Sequence, residues 1–284
     1  MKKSLIVMAA GMGSRFGGLK QVARFGASNK AILDFAVEDA RAAGIEKIAF
    51  VIRKDIEGEF RRAVSGKYEN LADVRYVFQD LSGAKLPQGR SKPWGTGHAV
   101  LACINEIEEP FIAANADDYY GAGVYVQASD FLDGARPTCH ALAGYRLKNT
   151  LSPNGGVSRG VCFAEADLSL AGMREFSDIR RDASGEKISC AQGRDFSGDE
   201  YVSLNFWSFA PDFMEILGEY FEDFLGANSK SDKAEFYLPD AVDRAVKERR
   251  ASVKILPTDE RWQGVTYRED MPLVEEFLKA EGRI

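Results

Sequence analysis

The sequence is poor in the residues that most often carry metal or redox chemistry. It has only two histidines, and its four cysteines, Cys103, Cys139, Cys162 and Cys190, are scattered without a C-x-x-C pair. Such spacing argues against a zinc site or a disulfide framework, and it is expected of reduced, mostly buried thiols in a cytoplasmic protein. No apolar run approaches the roughly 18 residues that span a bilayer. The apolar stretch after Met1-Lys2-Lys3 is too short for a signal peptide and reads as a first strand. Positive charge is in deficit, with 37 Lys and Arg against 43 Asp and Glu and a net charge of −6. That balance speaks against a protein that holds nucleic acid on a basic surface. Repeats, linkers and low-complexity segments are absent. With 284 residues, 45% of them hydrophobic, the chain can bury a full core.

Glycine, by contrast, is concentrated where it has a use. Ser4-Leu-Ile-Val-Met-Ala-Ala10-Gly11-Met-Gly13-Ser14-Arg15-Phe-Gly17-Gly18-Leu-Lys20-Gln21 is a buried-strand run emptying into a glycine-rich loop with two cations. Glycines let backbone N–H groups approach an oxyanion, and Arg15 and Lys20 stand where they neutralise a phosphate chain. The loop therefore reads as a cradle for a nucleoside triphosphate. It is not a P-loop, because Leu19 separates Gly18 from Lys20 and Gln21 follows. Nor is it a dinucleotide fingerprint: Phe16 stands at the third glycine, and the next strand ends in Arg53-Lys54, not in an acid.

Strand and helix signals alternate through residue 115. Strands are expected near 4–8, 47–52, 74–78 and 111–115, with helices from Ile32, Ile56 and Ala99 between them. This order implies a largely parallel α/β sheet with helices on both faces, Rossmann-like. Ligands of such sheets bind outside the carboxyl ends of the strands, where the glycine loop, Gln79 and Asp117 all fall. From about 138 to 209 short strand-like runs predict an inserted antiparallel β subregion. Helices near Pro211, Pro239 and Pro272 and a strand at 252–256 follow. The chain is read as one domain over 1–284, with the nucleotide expected on 1–137 and the acceptor on 138–284.

The glycine loop resembles the signature A-G-x-G-S/T-R, spacer, Lys of the nucleotidyltransferases that make nucleotide-sugars, in particular the sugar-1-phosphate uridylyl- and thymidylyltransferases. The resemblance implies a GT-A-type Rossmann-like fold. It also implies transfer of a nucleoside monophosphate from an NTP, UTP first among the pyrimidines, to a phosphate monoester such as a sugar 1-phosphate. Ala10, Gly11, Gly13 and Ser14 then cradle the phosphates, with Arg15 and Lys20 as catalytic cations. Gln79 and the run Gly95-Thr96-Gly97-His98-Ala99-Val100 are implied to hold the base, Gln79 offering both a donor and an acceptor; Thr96 also reads as a helix N-cap. In Ala116-Asp117-Asp118, Asp117 is the implied catalytic ligand of Mg²⁺ and Asp118 its second. A helix-capping Asp pair is the alternative reading there.

Later segments match more loosely. Asn154-Gly155-Gly156-Val157 is similar to a glycine segment that meets the sugar, Glu175 falls where the family places a glutamate without its usual Glu-Lys-Pro, and Asn205 falls where an amide meets sugar hydroxyls. Trp262-Gln263-Gly264 departs from W-x-D by placing Gly264 where a second metal-binding Asp belongs. The implied partners are an NTP and a phosphorylated small-molecule acceptor, with no nucleic acid and no membrane; a homo-oligomer is left open. A nucleotide-sugar-dependent glycosyltransferase and a non-catalytic nucleotide-binding protein are the rival readings of the same motifs.

Overall fold

A computed structural model describes residues 1–11, 24–26, 29–79, 90, 92–152, 155–182, 184–264 and 271–284. Gly13, Ser14, Arg15 and Lys20 lie outside the described residues, as does Asn154.

Strand β1 (Ser4–Met8) is parallel to β2 (Lys47–Ile52) on one side and to β4 (Phe111–Asn115) on the other, and β3 (Asp73–Phe78) continues beside β2. Side chains alternate across a strand, so a parallel sheet covered on both faces needs apolar residues at consecutive positions. In β1, Leu5 and Val7 join one core cluster, together with Leu33 and Val37 of α1 (Ile32–Ala42). Ile6 and Met8 join the opposite one, which takes in Ala99 and Val100 of α3 (Thr96–Leu101). The expected helix after Ile56 is irregular. A short α2 (Glu57–Phe60) runs into a π turn over Arg61–Ser65, flanked by 3-10 turns. Its apolar face survives, since Ile56, Phe60 and Val64 all stay buried.

Beyond β4 come the two-residue β5 (Asp118–Tyr119), α4 (Ala122–Asp133) and β6 (Cys139–Arg146). The antiparallel region follows: β7 (Val157–Ala164), β8 (Leu170–Arg181), β9 (Ile188–Ser189), β10 (Asp195–Phe196), β11 (Tyr201–Ser203) and β12 (Trp207–Phe209). Helices α5 (Phe213–Asn228) and α6 (Leu238–Lys247) lead to β13 (Ser252–Thr258), which pairs in parallel with β6. The chain closes through β14 (Gln263–Gly264), paired with β5, and α7 (Met271–Ala280). Val274, Phe277 and Leu278 of α7 pack on Phe25, Ile32 and Phe35, just beyond the glycine-rich segment. Among the described residues one sheet of twelve strands runs β10-β9-β8-β7-β11-β6-β12-β4-β1-β2-β3, with β13 on β6. This is the mixed, mostly parallel-cored α/β architecture with an antiparallel subregion that the sequence predicts.

One junction places the site. Strands β11 and β12 both lie antiparallel to β6, but β11 has β7 as its other neighbour whereas β12 has β4. The register carries two extra residues between Val202↔Tyr145 and Trp207↔Leu142. The bulge contains Asn205 at φ +64°, a left-handed conformation that asparagine tolerates better than most residues. Here β4 and β7 part company, and a crevice opens at the carboxyl end of β4.

Candidate active site

The crevice is a cavity of about 250 Å³, lined by Asn115 and Asp118 from the end of β4, Arg159 from β7, Glu175 from β8, Asn205 from the bulge, Asp240 from α6 and Trp262. In β1, Met8 is the register partner of Asn115, so the cavity mouth lies beside the strand that delivers Ala10 and Gly11. Ala10 is buried and Gly11 exposed.

Asp118 is held by a network that sequence spacing does not reveal. Its Oδ2 accepts from Asn115 Nδ2 at 2.8 Å and lies 3.2 Å from the Tyr120 hydroxyl. That hydroxyl accepts from the Asn115 N–H at 3.1 Å and is 3.0 Å from the Leu204 carbonyl. Asn115 Oδ1 in turn accepts from Asn205 Nδ2 at 2.8 Å, and Asn205 Oδ1 accepts from Trp207 Nε1 at 2.9 Å. The Asn115–Asn205 pair prolongs the β4–β12 register by one side-chain bridge past the point where the backbone ladder ends. Tyr120 is fully buried, and burial pushes its phenol well above the usual value, so it serves as a neutral bridge.

Asp117 sits half-buried in the turn between β4 and β5. Helix capping does not account for the Asp pair. Helix α4 starts after Gly121 at φ +87°, and its Gly123 N–H donates to Glu260 Oε1 at 2.8 Å. Gly264 pairs with Asp118 across β5 and β14. A Cβ on Gly264 would stand 2.7 Å from Asp118 Oδ1 and 2.5 Å from the Trp262 ring. Position 264 thus faces Asp118, as the resemblance implies, but the Trp262 indole fills the room an aspartate there would need.

Of the acceptor-side residues, Glu175 and Asn205 reach the cavity with Asp118, while Gly156 packs against Asp178 outside it. Sequence reading missed Arg159 and Asp240. Arg159 occupies an out-of-pattern place, a cation in a half-buried strand, and that was its one available signal.

A second group lies beyond β3. Gln79 is buried and donates through Nε2 to the Gly95 carbonyl at 2.8 Å and to His98 Nδ1 at 3.3 Å. Both amide hydrogens are engaged within the protein, so of the donor and acceptor the sequence expects from Gln79 only the carbonyl oxygen stays without one of these partners. Burial, with Arg90 adding to it, pushes His98 down to about 4. The neutral ring, stacked on Phe221 at 4.7 Å, can therefore accept at Nδ1. Thr96 does not cap its own helix. Gly95, at φ +99°, is the N-cap, and the Thr96 hydroxyl accepts from the Leu238 N–H at the start of α6, at 3.0 Å. The Gly97 N–H donates to the Phe236 carbonyl at 2.9 Å, and a Cβ at Gly95 would strike that carbonyl at 2.8 Å.

For Mg²⁺, the donor set fits a site of one or two carboxylates completed by substrate phosphates. Asp118 Oδ2 is taken up by protein donors, and no cluster of three or more His, Cys, Asp or Glu able to hold a metal occurs among the described residues. No helix among the described residues is long and apolar enough to cross a membrane.

No family model and no curated protein matches the chain. Solved structures do match it along nearly its whole length. One is the CTP:phosphocholine cytidylyltransferase of Streptococcus pneumoniae, at 14% identity and TM-score 0.65, covering 98% of this chain and 100% of that one. Another is the inositol-1-phosphate CTP transferase of T. maritima, at 13% and 0.64, covering 98% and 95%. A UDP-glucose pyrophosphorylase solved with UDP-glucose aligns at 20% and 0.61, covering 99% and 100%. The chain shares its fold, from first strand to last helix, with nucleotidyltransferases of this kind.

Proposed function

We propose that the protein is an Mg²⁺-dependent nucleotidyltransferase that moves a nucleoside monophosphate, pyrimidine first, from an NTP to a phosphate monoester of the sugar 1-phosphate class. The observation that carries the reading is the position of the charged cavity at the carboxyl end of β4, one strand from the end of β1 that leads into the glycine loop.

In the reaction an oxygen of the acceptor's phosphate attacks the α-phosphorus in line. The bond from the α-phosphorus to the bridging oxygen breaks, and pyrophosphate leaves with the electron pair. Such chemistry needs alignment and charge neutralisation from the protein, with little covalent work. Asp117 and Asp118 would hold Mg²⁺, which supplies positive charge beside the α-phosphate oxygens. The Asn205–Asn115–Asp118 bridge fixes the carboxylate before substrate arrives. Arg15 would hold the leaving pyrophosphate, and Lys20 would stabilise the α-phosphate and the incoming phosphate. Gln79 offers its carbonyl oxygen to a base N–H. Glu175 and Asp240 only accept hydrogen bonds when ionised, which suits an acceptor whose far end is rich in hydroxyls.

The test is pyrophosphorolysis. The purified protein is incubated with Mg²⁺, pyrophosphate and a panel of UDP-, CDP-, dTDP-, ADP- and GDP-linked compounds. NTP from one member of the panel supports the reading and names base and acceptor together. Release of a nucleoside diphosphate without NTP points instead to a glycosyltransferase.

A further inference from the structure

Among the described residues lining the cavity Arg159 is the one cation. Its guanidinium donates through Nε to Thr150 Oγ1 at 3.2 Å, through Nη1 to the Ser158 carbonyl at 2.8 Å and through Nη2 to the Thr150 carbonyl at 2.5 Å. All three acceptors are neutral. No carboxylate among the described residues lies within ion-pair distance of it, whereas other arginines, such as Arg53, Arg61, Arg244 and Arg283, each have one. A guanidinium has five N–H donors in a fixed fork, so two remain after these bonds. The charge sits 4.8 Å from the centre of the Trp262 ring, and that ring and Asp118 Oδ1 border the same point beside Gly264. Burial draws the guanidinium down to about 10, against an opposing pull from the Asp118 charge, which leaves it charged at neutral pH.

A half-buried cation fixed by neutral groups is complete only when an anion joins it, because a desolvated charge without a counter-charge is costly. Asp118, the carboxylate whose charge acts on Arg159, stays beyond ion-pair distance, and no other carboxylate among the described residues pairs with it directly; the guanidinium borders an open cavity instead. The other charged groups of the lining, Asp118, Glu175, Asp240 and Asp243, are carboxylates, so Arg159 is the one described group there that draws an anion. We infer that Arg159 binds the phosphate group of the acceptor and sets it beside the nucleotide. This assignment rests on the nucleotidyltransferase reading for its place in the reaction, but not for the anion site itself. It makes the cavity selective for phosphate monoesters over neutral alcohols.

The experiment titrates inorganic phosphate into the purified protein and follows tryptophan emission. Trp262 lines the cavity and Trp207 touches it only through its bond to Asn205, so Trp262→Phe separates the Trp262 share of the signal from the rest. Saturable phosphate binding is expected in the parent protein. It should weaken by about tenfold to a hundredfold in Arg159→Met, the loss typical of a charge-assisted bond, with Arg159→Lys in between. Should the methionine variant fail to fold, Arg159→Gln, which keeps a donor toward Thr150, makes the same comparison. Phosphate binding in the neutral variant within about twofold of the parent overturns the assignment. So does the absence of any Trp262 response in the parent.

With an acceptor found by pyrophosphorolysis, Arg159→Met should raise the acceptor KM by the same factor and leave the NTP KM unchanged. NTP formation by the parent together with an unmoved acceptor KM in the variant removes Arg159 from the site while the reaction stands. Loss of phosphate binding on substitution, with no NTP from any compound, keeps Arg159 as an anion site while the reaction falls.

Discussion

The two polar centres at the edge of this sheet are built on opposite electrostatic terms. Around Gln79 the bonded groups are neutral: an amide, a backbone carbonyl, an uncharged His98 against an aromatic ring, and the Thr96 hydroxyl capping α6, with the Arg90 charge helping to keep His98 unprotonated. Around Asp118 the groups are charged: Arg159, Glu175, Asp240 and Asp243 line the same cavity. The first arrangement suits recognition of a neutral, planar ligand by hydrogen-bond pattern. The second suits phosphate and metal, where the free energy comes from charge in a partly dehydrated cleft.

The largest effect should come from breaking the charged side. Asp118→Asn keeps the shape and removes the charge, and turnover, followed as pyrophosphate-dependent NTP formation, should fall on the order of 10²–10³, the scale for losing one electrostatic stabiliser. Unfolding midpoints should move little; an active variant would remove Asp118 from the metal site. Gly264→Asp restores the motif on paper but places its Cβ 2.5 Å from the Trp262 ring and 2.7 Å from Asp118 Oδ1. It should destabilise the fold by about 1–3 kcal/mol, as overpacking does, and bring no gain in turnover. Thermal unfolding and the same assay check both halves.

On the neutral side, Gln79→Ala should cost about tenfold in discrimination among pyrimidine nucleotides, the value of one hydrogen bond to a base, with catalysis on the preferred base otherwise retained. The last effect is on stability against pH and leaves turnover at neutral pH untouched. Burial holds both histidines, His98 and His140, down to about 4, with Asp212 pulling weakly the other way on His140. Their unfolded-state value is about 6.5. Between those values the unfolded chain binds more protons, so their contribution to stability is full above about 6.5 and is lost as pH falls toward 4. Each adds a slope of up to about 1.4 kcal/mol per pH unit in that window. Denaturant titrations of the parent and of His140→Asn between those pH values should show a shallower slope in the variant.

Much of this was legible from residue order. Leu5-Ile6-Val7-Met8, with apolar residues at every position, announced a strand buried on both faces, and Phe111-Ile-Ala-Ala repeated it. The second half was legible only as a class. The strand-like runs expected over about 138–209 gave no sign that Tyr201–Ser203 and Trp207–Phe209 would be two strands divided by the bulge at Asn205. Nothing local marks where a strand changes neighbours, since that depends on which edges β4 and β7 leave open. Gln79 was legible as a candidate, but the fate of its two donors was not, because Gly95 and His98 are fifteen or more residues away.

By itself the sequence determined the order of strands and helices through residue 115, the doubly buried parallel core and the glycine loop. These depend on side-chain period and on glycine's freedom, which act over a few neighbouring residues. Only the tertiary structure decided that Asn205 from one half would hold Asn115 and Asp118 from the other. It also decided that the Trp262 indole would occupy the room beside Gly264 and that Arg159 would reach the cavity with no carboxylate among the described residues in ion-pair contact. Those outcomes depend on distances between chain segments far apart in sequence, and residue types alone carry no distances.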